Sequence, residues 1–271
     1  DINGTVLSGT QTIAAYSSKI IYKLPTCASA LANTAGARVL LGGAMDWTTG
    51  LMREDLRVQS LIPTTEPYSA LGLSVENTGA SLSSDLLTTA GANSIVDWVV
   101  IELRNTDGTV AERRAALVRS NGEVVSTDGD PQIAFTTATV GKKMVIRHRN
   151  HLAAMATTPI ATNAEVVDMS ASSTTLQGTE PLMVSGNYRG LWPGDVNMDG
   201  TVMYTGMGND RDVVLTNIGS MVITNTVSGY SSSDLNMDGI SMYTGSANDR
   251  DILLNVIGGT IPTRVRQAQI P

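Results

Sequence analysis

DVNMDGTVMYTGMGNDRDVVLTNIG, residues 195–219, returns as DLNMDGISMYTGSANDRDILLNVIG at residues 234–258. The offset is 39 throughout, without a gap, and 16 of the 25 aligned positions are identical. Repetition this regular signals one supersecondary unit used twice. Asp195, Asn197 and Asp199 stand at positions 1, 3 and 5 of a loop followed by Gly200, and Asp234, Asn236, Asp238 and Gly239 repeat them. Oxygen-bearing side chains at alternate positions before a Gly form the opening half of an EF-hand-type calcium loop. A curled loop turns every second residue toward one hard cation. The main-chain carbonyl at position 7, of Thr201 or Ile240, would add an oxygen without constraining the side chain.

The second half departs from that pattern. Position 12, where a Glu is expected, holds Gly206 or Gly245. An insert, MYTGMG or MYTGSA, comes before Asn-Asp-Arg-Asp, which opens an apolar run. With the insert looped out, Asn209 and Asp212 take the ninth and twelfth places, as do Asn248 and Asp251 in the second copy. Asp212 and Asp251 are the expected closing ligands, with Asp210 and Asp249 next in order. Asn209 or Asp210 would also cap a helix beginning near Arg211. Val213, Val214, Leu215 and Ile218 would form its buried stripe, and Gly219 would stop it. The alternative is a pair of metal-free turns, which Asp, Asn and Gly favour in any case. Charge argues for the cation: from Asp195 to Gly259 there are eight Asp, two Arg and no Lys or Glu, −6 of the chain's −7. Carboxylates crowded in this way repel one another unless a cation stands between them. Two Ca2+ sites are expected.

A pair of D-x-N-x-D-G loops, each followed by a short helix, resembles a dockerin-type calcium-binding module. The resemblance covers the C-terminal part of the chain, residues 193–271. The MYTG-x-x-NDRD form is similar to the C-terminal regions of large secreted proteins of the Bacteroidota type. Upstream, TGLMREDLR, LIPTTEPYSALG, DWVVIELR and VIRHRNHL resemble the β-rich region that precedes such modules. The resemblance implies secretion and surface display, not a reaction.

Working back from the repeat, residues 95–104 (IVDWVVIELR) read as a strand alternating around Asp97, Glu102 and Arg104. Further strands are expected at 112–119, 122–127, 132–136 and 142–149, parted by Asp107-Gly108, Asn121-Gly122, Asp128-Gly129 and Val140-Gly141. Short runs with Gly turns at this spacing predict an antiparallel β-sandwich. Residues 153–167 and 182–191 would close it, and 38–41 would begin it. Residues 45–67 read as an irregular solvated region held by Trp47 and Leu51. Trp192-Pro193-Gly194 hands over to the first loop without a flexible linker, so the two parts are expected to pack rigidly. At the other end, residues 4–7, 10–15 and 19–22 read as short strands and 24–36 as a connection.

The composition is that of a globular chain: 271 residues, 42% hydrophobic and 16% charged, long enough for a sizeable core. A pI near 4.8 and the absence of a Lys/Arg cluster argue against nucleic acid or an anionic membrane as partner. No apolar run reaches the ~18 residues of a membrane span. No signal peptide opens the sequence, so Asp1 is read as a processed or excised start. The single Cys27 has no internal disulfide partner and says nothing of compartment.

Catalytic chemistry finds no foothold in the sequence. No nucleophile elbow, zincin motif, P-loop or dinucleotide fingerprint occurs. The only histidines, His148 and His151, are spaced to lie on opposite faces of a strand, which disfavours a shared metal. Trp47, Trp98 and Trp192 are too scattered to suggest a sugar-stacking strip, and core or junction packing is expected for each. Tyr204 and Tyr243, inside the repeat, either face a partner or pack between the two copies, with mutual packing the preferred reading.

The expected fold is therefore mainly β. An N-terminal strand segment (1–36) precedes an antiparallel β-sandwich (37–192) and a small dockerin-like domain of two calcium loop–helix repeats (193–271). The expected function is non-enzymatic: a calcium-stabilised extracellular or cell-surface module for adhesion, display or fibre assembly. Its partner would be another protein or an identical subunit, with residues 1–23 available for head-to-tail pairing. The alternative is a docking or glycan-binding appendage of a polysaccharide-degrading complex.

Overall fold

A computed structural model describes residues 33–270. The expectations placed on residues 1–23, on Cys27 and on the first part of the 24–36 connection lie outside the described residues. Asn33–Pro271 form one compact unit. In chain order its body contains β1 (Asn33–Arg38), the pair β2 (Met45–Asp46) and β3 (Leu51–Met52), helix α1 (Asp55–Val58), β4 (Ile95–Arg104), β5 (Val110–Arg119), β6 (Glu123–Val125), β7 (Ile133–Phe135), β8 (Lys143–Arg147), β9 (Ala154–Met155) and β10 (Val166–Asp168). The hairpin β11 (Met183–Ser185) and β12 (Tyr188–Gly190) follows. Among the described residues strand outweighs helix, 30% to 12%, and antiparallel pairing dominates, a mainly β architecture.

One eight-stranded sheet organises the body, in the order β10-β1-β6-β5-β4-β8-β9 with β7 also paired to β1. All pairings are antiparallel except β1 with β10. The turns between the long strands fall where the sequence places them, with Gly108, Gly122 and Gly129 at positive φ. The first strand begins five residues before its expected start at 38. NTAGAR reads as a linker because its residues are small, yet small residues suit its place among three neighbouring strands. A Cβ on Gly36 would stand 2.8 Å from Val166 Cγ2. The stretch 45–67 is likewise less solvated than expected: Met45, Met52, Leu56 and Ile62 all join the main core.

Strand β4 has the expected bounds, 95–104. Its polar residues do not mark a solvent face, because all ten residues are buried. Glu102 is satisfied by Arg104, Arg113 and Arg147, at 2.5, 2.6 and 2.8 Å. A register shift between Ile95 and Asp97 is a bulge of the kind that re-aims a side chain, and Asp97 is fully buried.

The repeats add β13 (Thr201–Met203), α2 (Asp210–Asn217), β14 (Thr226–Ser228), β15 (Ile240–Met242), α3 (Asp249–Val256) and β16 (Val265–Gln267). Pairing is exchanged between copies: β13 pairs with β16, and β14 with β15. Because β14 and β16 also stand 39 residues apart, the structural unit continues past the 25 residues of evident identity, from 195 to 228 and from 234 to 267. The exchange recurs in side chains. Thr205 Oγ1 donates to Pro262 O at 3.0 Å, and its counterpart Thr244 Oγ1 to Ile223 O at 2.9 Å. Val196, Val202, Val214, Leu235, Leu253, Val256 and Ile257 bury one another in a core of their own, with Leu152 contributed by the body. Tyr204 and Tyr243 both pack against this shared core.

Candidate metal loops and the buried junction

Each helix begins and ends as its sequence dictates. Asn209 caps α2 by accepting the Asp212 N–H at 2.9 Å, and Asn248 caps α3 by accepting the Asp251 N–H at 3.0 Å. Gly219 and Gly258, at φ +98° and +106°, stop them. Ser220 N donates to Leu215 O and Gly219 N to Thr216 O, a Schellman closure that the second copy repeats with Gly259 and Gly258.

These caps settle which aspartates turn inward. Asp212 and Asp251, the expected closing ligands, have side chains 57% and 53% exposed and paired at 2.8 Å with Arg211 and Arg250. Asp210 and Asp249 are fully buried instead. The reason is local: with Asn at the cap, the next residue begins the helix over the loop, whereas the third lies on its outer side. Asp210 accepts the N–H groups of Val196 and Met203, both at 2.8 Å, and so ties the loop to β13. Asp249 does the same for Leu235 and Met242, at 2.6 and 2.7 Å.

Facing them are Asp195 and Asp234, buried at the first loop position. Asp195 accepts the Gly200 N–H at 3.2 Å, and Asp234 the Gly239 N–H at 2.8 Å. Asn197 donates to Asp199 at 3.0 Å and Asn236 to Asp238 at 2.8 Å. Thr201 and Ile240 open β13 and β15, their N–H groups held by Asp199 and Asp238 at 2.8 and 2.9 Å. The structure thus gathers Asp195, Asn197, Asp199 and Asp210 in one loop and Asp234, Asn236, Asp238 and Asp249 in the other. Asn209, Asp212, Asn248 and Asp251 serve the helix ends.

Electrostatics inside the loops are unfavourable as they stand. Burial, then the charge of Asp210, pushes Asp195 up to about 7, and burial pushes Asp210 up to about 6. Burial also raises Asp249 to about 7 and Asp234 to about 6, Arg149 opposing the latter. Among the described residues no cluster of three or more His, Cys, Asp or Glu side chains meets the geometry of a metal site. Calcium, however, also draws on amide and main-chain oxygens. Buried carboxylates that repel, flanked by Asn oxygens and a tight Gly turn, are a donor set that suits a hard divalent cation.

The second loop is seated on a buried polar junction. Asp97 Oδ2 accepts from Arg149 at 3.0 Å and meets His148 Nε2 at 3.1 Å, while Asp97 Oδ1 accepts from Tyr230 at 2.7 Å. Burial pushes Asp97 up, but Arg149, His148 and Tyr230 outweigh it and hold the carboxyl down at about 2. His148 and His151 do not lie on opposite faces of a strand, because β8 ends at Arg147 and the chain turns there. Their Nδ1 atoms stand 2.9 Å apart. Burial lowers both imidazoles. The Gly43 N–H donates to His151 Nε2 at 3.0 Å, which leaves the proton of neutral His151 on Nδ1, shared between Asn150 Oδ1 at 2.8 Å and His148 Nδ1 at 2.9 Å. His148 then carries its proton on Nε2 and donates to Asp97. The pair is a structural relay with its lone pairs spent inside the protein.

The tryptophans serve packing. Trp98 is buried and donates to Pro63 O at 2.8 Å. Trp47 packs on the main core. Trp192 lies at the handover with Arg266 stacked 3.7 Å from its ring. The handover itself is tied down, Leu152 N donating to Trp192 O and Gly194 N to Asn150 O, both at 2.8 Å. Arg53, Gln59, Arg149 and Asn150, all bonded to the second repeat, escape sequence reading. Their partners are main-chain carbonyls, which leave no mark in side-chain patterns.

No protein-family model, no curated protein and no solved structure matches this chain. Among the described residues no helix is long and apolar enough to cross a membrane.

Proposed function

We propose that the chain is a non-enzymatic, extracellular structural module, with residues 195–267 acting as a dockerin-like pair of calcium loops that brace a β-rich body for surface display, adhesion or fibre assembly. One observation carries this reading. Each loop buries two carboxylates that repel each other or their neighbours, and the nearby Arg211 and Arg250 are spent on the outward Asp212 and Asp251. Asp195, Asn197, Asp199 and Asp210 would hold one ion with the Thr201 carbonyl. Asp234, Asn236, Asp238, Asp249 and the Ile240 carbonyl would hold the other. The ion's contribution is positive charge at the centre of each acidic turn, so that helices of eight residues, too short to persist alone, stay docked on their shared core.

The sandwich reading of the body rests on β1. Asn33 to Ala35 pair with β7, whereas Gly36 to Arg38 pair with β10 and, in part, β6. A strand that changes partners midway at a Gly is how one sheet becomes two facing layers. Thermal unfolding of the full chain in excess chelator and then in millimolar calcium tests the calcium reading. A rise in melting temperature supports it, and identical curves reject it.

A further inference from the structure

The two loops share a sequence but not a setting. The first is the more open, with Asn197 and Asp199 exposed. The second has Asp234, Leu235, Met237 and Gly239 buried, and Met237 belongs to the core of the body. Three body residues grip its main chain and a fourth, Arg149, holds the residues just before it. Arg53 donates to Asn236 O, and Gln59 Nε2 to Asp238 O at 2.7 Å. Asn150 Nδ2 donates to Asp234 O at 2.7 Å and to Ser232 O at 3.1 Å. Arg149 donates to Ser231 O and stacks 4.3 Å from the Tyr230 ring. Body and loop approach so closely that a Cβ on Gly43 would stand 2.0 Å from Leu235 O. For the first loop, the matching carbonyls are Asp195 O, Asn197 O and Asp199 O, which Arg53, Gln59 and Asn150 do not reach; ahead of it, Trp192 O, the counterpart of Ser231 O, accepts the Leu152 N–H at 2.8 Å.

We infer that the two calcium loops are unequal. The second, 234–249, is set in its binding shape by Arg53, Gln59, Arg149 and Asn150 and takes the ion more tightly. The first, 195–210, must order itself on binding and exchanges its ion with solvent. This rests on the calcium reading above and deepens it. The physical reason is preorganisation: a loop held in shape before binding loses less conformational entropy on binding, and outer partners that orient ligands govern metal affinity. Positive charge beside the second loop does not reverse the order. Arg149 is paired with Asp97, and Arg53 with Asp55, both at 3.0 Å.

Calcium titration of the full chain by calorimetry, with circular dichroism on each variant, tests the inequality. The wild-type chain is expected to bind two ions with affinities about tenfold or more apart. Asp238→Ala removes the tighter step and Asp199→Ala the weaker. The double variant Arg53→Ala/Gln59→Ala removes two main-chain contacts to the loop and one exposed ion pair with Asp55, and both side chains lie at the surface. It should weaken the tighter step by about 10- to 100-fold and spare the weaker one. Should the double variant lose its fold signal, Gln59→Ala alone serves, with a smaller shift in the same step. Two equal sites, or body variants that weaken both steps alike or neither, overturn the inequality and leave the calcium reading standing. A wild-type chain that shows neither binding heat nor a calcium-dependent melting shift overturns both.

Discussion

The Tyr230 hydroxyl donates a 2.7 Å hydrogen bond to Asp97 Oδ1, joining the threshold of the second repeat to the middle of the body's sheet across 133 residues of chain. Both residues share Arg149, which pairs with the Asp97 carboxylate and stacks on the Tyr230 ring. Body and repeats are therefore expected to unfold together. Tyr230→Phe removes a hydrogen bond to a charged acceptor and should cost about 1.5–3 kcal/mol. Arg149→Met leaves Asp97 buried without its counter-charge and should cost about 3–5 kcal/mol. Urea unfolding followed by fluorescence and by circular dichroism measures both. Two separate transitions in the wild-type chain would contradict the shared junction.

Asp210 and Asp212 make opposite predictions. Asp210→Asn relieves like-charge repulsion at Asp195, so the metal-free protein should melt higher while its gain on adding calcium shrinks. Asp212→Asn disturbs only an exposed pair with Arg211 and the cap amide, a change within about 1 kcal/mol, and should leave the calcium gain intact. Melting curves of the two variants with and without calcium decide the matter. Loss of the calcium gain in Asp212→Asn alone would restore the order expected from sequence spacing.

The pH dependence of the metal-free chain should be inverted relative to ordinary acid lability. Asp195, Asp210, Asp234 and Asp249 ionise at about 6 to 7 in the folded chain against 3.8 for an ordinary Asp. The folded state then holds more protons than the unfolded state across this window, and stability falls as pH rises from about 4 to about 7. Asp97 and Glu102, held down at about 2, act the other way and withdraw stability only as pH falls below about 4. In chelator, melting should be higher near pH 5 than near pH 8. Saturating calcium should reverse that order, since ligands must be deprotonated to bind. A metal-free chain more stable near pH 8 would refute the buried-carboxylate account.

Leu253 lies in the small core that both repeats share, and it is fully buried. Leu253→Ala should cost about 2–5 kcal/mol by leaving a cavity among Val196, Val202 and Val214. Asn209→Ala, which removes one cap, should cost about 1 kcal/mol. Chemical denaturation ranks the two, and equal losses would mean that the repeats are held by something other than their joint core.

Much of this was legible in the sequence. The repeat gave the loops, caps and helix stops, because each is a local choice of residue type: Asp and Asn in the turn, Asn at the cap, Gly at the stop. The strands from 95 to 147 were legible from their Gly turns. What escaped reading is non-local. The burial of Asp97 and Glu102 is not legible, because a charge alternating with Val and Ile on a solvent face cannot be told from a charge buried against arginines 11 or 52 residues away. Counting along an EF-hand frame points to Asp212 ahead of Asp210, whereas the Asn cap fixes Asp210 as the carboxylate that lies over the loop. The exchanged pairing of β13 with β16 and of β14 with β15 lay beyond reach, since TVS and VRQ share almost nothing but their 39-residue offset.

Differential scanning calorimetry of the full chain at neutral pH, first in excess chelator and then in stepwise calcium, bears most directly on the central claim that buried acidic turns need a divalent ion. The account predicts a melting temperature that climbs with calcium until two ions per chain are bound, and that magnesium at equal concentration raises less, since it demands a stricter octahedral site. A melting temperature indifferent to calcium and chelator would contradict it.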